Sequence, residues 1–101
     1  MIIVDTTQNH AVNKSINLKN LANYADGKVD CLQVLATGAL TSGEVKLTIS
    51  QDNINFYPLT DENGLQITLQ PQNPVYLKFA NLFLKCDLTS AVVENFKVQV
   101  Q

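Results

Sequence analysis

The chain has a single histidine, no tryptophan and only two cysteines, and these shortages remove most enzyme chemistries at once. His10 has no second imidazole to complete a metal site or a serine-based triad, and it falls in a polar connection where a solvated side chain is expected. Cys31 and Cys86 lack the close spacing of metal ligands. Each sits in an apolar run, so both read as small buried hydrophobes with reduced thiols; a bridge would close a long loop and contribute about 4 kcal/mol in the chain-entropy model, if its geometry permits. The glycines, at 27, 38, 43 and 64, stand singly, which excludes a phosphate-cradling loop.

Charge is scarce as well. Charged residues make up 16% of the chain, against roughly 25% in ordinary soluble domains, and the net charge is −2. There is no cationic excess to neutralise phosphates, so nucleic-acid binding is not expected. No apolar run approaches the roughly 20 residues of a membrane-spanning helix, and no basic start leads into a long apolar stretch. A soluble, unprocessed chain without membrane or cofactor is the expectation.

What is present is alternation. In Val45-Lys46-Leu47-Thr48-Ile49-Ser50 every second residue is apolar, and the same holds in Leu65-Gln66-Ile67-Thr68-Leu69 and in Phe96-Lys97-Val98-Gln99-Val100. Successive strand side chains point to opposite faces, so Val45, Leu47 and Ile49 are expected in a core and Lys46, Thr48 and Ser50 in water. Residues 28–40 form the longest apolar segment and read as a strand covered on both sides, with Thr41-Ser42-Gly43 turning into an antiparallel neighbour. Pro58 marks residues 56–59 as an edge strand or a bulge, and Asn63-Gly64 suits a hairpin turn. Gln70-Pro71-Gln72-Asn73-Pro74 reads as an extended loop, and Asn81 as a tight turn before a strand at 83–88. Residues 18–24 carry the only helical spacing, enough for one turn. About eight strands at regular spacing predict an all-β fold, an antiparallel β-sandwich or jelly roll. Residues 1–13 are read as an N-terminal strand or arm and residues 14–101 as a single β-sandwich domain.

The acidic residues do not form a catalytic pair, because Asp52, Asp61 and Glu62 fall where side chains cap turns. A calcium site from Asp52, Asn53, Asp61 and Glu62 does not match the EF-hand spacing, and no metal is expected. Tyr57 and Tyr76 suit either cross-strand packing or stacking on sugar rings, with Asp52, Asn53 and Asp61 as hydroxyl partners. A carbohydrate-binding or adhesion module is accordingly the alternative reading.

Three motifs carry a resemblance: Val45-Lys46-Leu47-Thr48-Ile49-Ser50-Gln51-Asp52-Asn53, then Phe56-Tyr57-Pro58-Leu59-Thr60-Asp61-Glu62-Asn63-Gly64, then Phe83-Leu84-Lys85-Cys86-Asp87-Leu88. Together with residues 34–100 as a whole they resemble small β-sandwich virion proteins of tailed bacteriophages. The resemblance implies a non-enzymatic structural protein of the virion, assembled in the host cytoplasm, that decorates or cements the capsid or belongs to a head fibre. Implied partners are the major capsid protein or other virion proteins, with the chain acting as a homo-oligomer. Ile2, Ile3, Val4 and His10, in the N-terminal segment, are the residues expected to reach a partner, and deleting residues 1–13 is expected to weaken assembly or capsid binding while leaving the domain folded.

Overall fold

The computed structural model describes residues 1–7, 12–18, 32–77 and 82–101. Among them are ten strands and no α-helix: β1 (Ile2–Asp5), β2 (Val12–Asn13), β3 (Ile16–Asn17), β4 (Leu32–Ser42), β5 (Val45–Ser50), β6 (Tyr57–Pro58), β7 (Thr68–Leu69), β8 (Val75–Leu77), β9 (Phe83–Asp87) and β10 (Val92–Val100). The count exceeds eight because four of these strands are two residues long. His10, Cys31, Asn81 and most of the one-turn helical stretch lie outside the described residues.

All pairing is antiparallel, in two sheets of five strands. The first runs β2-β1-β10-β4-β8; the second runs β3-β9-β5-β6, with β7 also on β5. Alternation explains the core they share. In β10, Phe96, Val98 and Val100 are buried while Lys97 and Gln99 are exposed; in β4, Leu32, Val34 and Ala36 point inward. The second sheet supplies Val45, Leu47, Leu69, Leu84 and Cys86 to the same cluster. β4 is sealed on one face only: Gln33 and Leu35 are half-buried on the other, and Thr37 and Ala39 are exposed.

Of the two readings of the N-terminal segment, strand or arm, residues 2–5 take the strand. β1 lies between β2 and β10, and a bulge between Ile2 and Val4 turns two consecutive side chains inward, so Ile3 and Val4 are both buried. Those two residues belong to the core, which corrects the expectation that they meet a partner. Ile2 keeps 41% of its surface exposed. The Met1 amino group donates to the Val100 carbonyl at 2.7 Å, and Val100 N–H returns a bond to the Met1 carbonyl at 2.8 Å.

β4 and β5 do not pair, although a two-residue link joins them; they lie in different sheets. Gly43 makes this crossing. Its φ of +76° suits a residue without Cβ, and an added Cβ would lie 1.7 Å from the Ser90 carbonyl oxygen. Ser90 belongs to the return crossing from β9 to β10, so the two links between sheets lie side by side, tied by the Ser90 hydroxyl donating to the Glu44 carbonyl at 3.2 Å. A second irregularity sits in the first sheet. The β10–β4 register shifts between Glu94 and Lys97, opposite Gly38, and Asn95 adopts φ 48° there.

Residues 70–74 also depart from expectation. They form a compact turn, with Asn73 N–H donating to the Gln70 carbonyl at 3.1 Å and Gln72 N–H donating to the Ala36 carbonyl of β4 at 2.8 Å. Pro58 is on an edge strand, the first of the two alternatives its position allowed. Cys86 is a free, buried thiol whose pKa burial pushes up to about 12. In a Cys31→Ser chain, where Cys86 is the sole thiol, an aromatic disulfide reagent at pH 8 is expected to label nothing until the protein unfolds. Rapid labelling of the native chain would contradict the burial of β9.

Candidate functional site

The residues between β5 and β6 build a loop around one carboxylate. Ser50 was expected to face water but is buried at the strand end, and its hydroxyl accepts the N–H of Asn53 at 2.9 Å and of Asp52 at 3.2 Å. The same hydroxyl donates to Asp52 Oδ1 at 2.8 Å. That oxygen also accepts Ile54 N–H at 2.9 Å and Asn55 N–H at 2.8 Å, while Oδ2 accepts the Asn55 side-chain amide at 2.9 Å. Short polar side chains bonding nearby backbone in this way fix the loop without regular structure. Asn53 takes φ 61° and accepts the Ser15 hydroxyl, tying the loop to the segment before β3.

These donors stabilise the charged form of Asp52. The N–H groups of Asn55 and Ile54, then the Ser50 hydroxyl, hold its carboxyl well below the ordinary value of 3.8. A depressed carboxylate stabilises the fold above its unfolded pKa, and that contribution fades as pH falls through the folded one. The loop is therefore expected to stay ordered at pH 4 and to loosen only below the ordinary carboxylate range, checked by a carboxyl-carbon NMR titration. An Asp52 midpoint near 3.8 would show that these hydrogen bonds do not form in solution.

Asp61 caps the turn of the next hairpin with its side chain. Its Oδ1 accepts Asn63 N–H at 2.9 Å and Leu65 N–H at 3.0 Å, and its carbonyl accepts Gly64 N–H at 3.0 Å. Only Gly64 of the Asn63-Gly64 pair has positive φ, so the connection is a β-turn followed by a glycine in the left-handed region, not a two-residue primed turn. Each loop carries an exposed aliphatic side chain: Ile54 is 79% exposed, and Leu65, which closes the turn opposite Asp61, is 65% exposed.

Tyr57 opposes Ile49 across β5 and β6, and directly opposed residues share a face. Ile49, Tyr57 and Leu82 with Ser50, Gln51, Asp52 and Asn55 line an open groove of about 450 Å³. Of the residues singled out from the sequence, Asp52 and Tyr57 meet here, and Asn53 belongs to the same loop. Asp61 lies on its own hairpin, and Tyr76 lies on β8 in the other sheet, where its hydroxyl accepts the Gln33 side-chain amide at 3.3 Å. Sequence reasoning missed Ile49, Ser50, Gln51, Asn55 and Leu82. The clustering of amide residues at 51–55 was the available signal; Leu82 had none.

A second depression, of about 460 Å³, lies on the outer face of the second sheet among Asn13, Thr48, Phe56, Lys85 and Asp87. Lys85 Nζ stands 5.8 Å over the Phe56 ring. The backbone N–H and hydroxyl of Thr89 lower the Asp87 pKa, with Lys46 and Lys85 adding to the effect. Among the described residues, no group of three His, Cys, Asp or Glu side chains is placed to hold a metal ion. No helix there is long and apolar enough to cross a membrane. Comparison with family models, curated proteins and solved structures found no match to this chain.

Proposed function

We propose that the chain is a non-enzymatic virion protein of a tailed bacteriophage, a β-sandwich or jelly roll that decorates or cements the capsid, or builds a head fibre, through protein–protein contacts. The observation that carries this reading is the pair of carboxylate-pinned loops presenting Ile54 and Leu65. A loop already fixed in shape loses little conformational freedom on docking, and an exposed aliphatic side chain on it is a ready anchor. The weakly charged surface supports the same role, because few charges must be desolvated when a neighbour covers it. In this reading the chain is a homo-oligomer set against the major capsid protein, where a repeated lattice turns modest contacts into stable attachment.

The test is composition. Gradient-purified particles from cells carrying the encoding genome are expected to contain this chain in many copies by mass spectrometry. An Ile54→Asp, Leu65→Asp double variant, altered only at exposed side chains, is expected to fold and to be depleted from particles. Absence of the wild-type chain from purified particles would overturn the proposal.

A further inference from the structure

The groove beside Tyr57 has a composition that selects its ligand. Among the described residues no lysine, arginine or histidine lines it, and Asp52 contributes a negative charge, so anions are disfavoured. A hard divalent cation needs several oxygen ligands, yet Oδ1 of Asp52 is already taken by three donors and, among the described residues, no second carboxylate lines the groove. A purely apolar ligand is disfavoured too, since Ser50, Gln51, Asp52 and Asn55 form one side. What fits is a neutral molecule with one apolar face and a rim of hydroxyls.

We propose that this groove binds a single pyranose ring of a neutral glycan, stacked on Tyr57 and hydrogen-bonded by Gln51 and Asp52. Tyr57 is 65% exposed while its backbone is held in register against β5, so it offers a ring face on a rigid strand. Asp52 Oδ2 accepts one hydrogen bond and keeps capacity for a sugar hydroxyl; its own loop bonds hold it in place. Ile49 and Leu82 supply the apolar wall. A groove of about 450 Å³ lies within the range of small-molecule sites. The inference is independent of the virion reading: a decoration protein and a free-standing module would use the groove alike.

The test is an amide NMR titration of the full chain with the methyl pyranosides of glucose, galactose, mannose and N-acetylglucosamine at millimolar concentration. At least one is expected to give saturable shifts confined to residues 49–57 and 82. Tyr57→Phe is expected to retain binding, and Tyr57→Ala to weaken it roughly tenfold, the scale of losing one stacked aromatic contact. Saturable shifts from none of the four, shifts mapping elsewhere, or equal binding by Tyr57→Ala would each overturn the proposal. Because Tyr57 is mostly exposed, the alanine variant is expected to stay folded, which its own spectrum verifies.

Discussion

A chain lacking residues 1–5 is expected not to fold. β1 is an interior strand of the first sheet, and its loss leaves one long edge of β10 unpaired and strands β2. Ile3 and Val4, both buried, leave an apolar hole; truncating Ile3 alone to alanine is expected to cost about 2–5 kcal/mol. Domains of this size are stable by only about 5–15 kcal/mol, so removing both side chains and their ladder exceeds what the remainder can supply. Collapse of amide dispersion and loss of a cooperative melt would show it. A truncated chain that kept a dispersed spectrum would mean that β1 is an accessory strand. The expectation from sequence, that the domain survives loss of residues 1–13, is reversed by this placement.

The second large effect is expected at Gly43. Its alanine variant meets the Ser90 carbonyl oxygen at 1.7 Å, and because that oxygen is backbone, relief requires moving the neighbouring crossing. Left-handed φ costs about 1–2 kcal/mol for a residue with Cβ, and forced overpacking about 1–3 kcal/mol more. Gly64 provides the control, with φ +79° and nothing within 4 Å of an added Cβ. Gly64→Ala is therefore expected to lose about 1–2 kcal/mol, the φ penalty alone. Denaturant midpoints of the two variants separate the contributions; equal losses would mean that the two crossings can move apart freely.

The strands were readable wherever one face is buried and the other is wet. Phe96, Val98 and Val100 alternate in sequence and in burial, as do Val45 and Leu47. Pairing was harder to read. The link at Gly43 resembles a hairpin turn in sequence, yet it joins two sheets, because the choice depends on what packs behind the glycine, and Ser90 lies 47 residues away in the chain. The burial of Ile3 and Val4 rests on a bulge, and an apolar pair at consecutive positions looks the same in a loose segment. Gly38 carried a signal that the sequence reading did not use: a lone glycine inside an apolar strand is compatible with a bulge, and one is found opposite it. At the groove, Tyr57 and Asp52 were legible as residue types that suit recognition, but only the β5–β6 register brings them to one face.

The place of β10 between β1 and β4 has a temporal consequence. A ribosome delivers β1 and β4 long before it delivers the strand that joins them. Until β10 is released, both wait with unpaired edges, and the nascent chain depends on delay, dilution or a chaperone to avoid joining its neighbours. Closure then comes as a single late event spanning nearly the whole sequence, a topology that folds slowly and makes slowed synthesis or crowded polysomes the conditions under which yield should fall first.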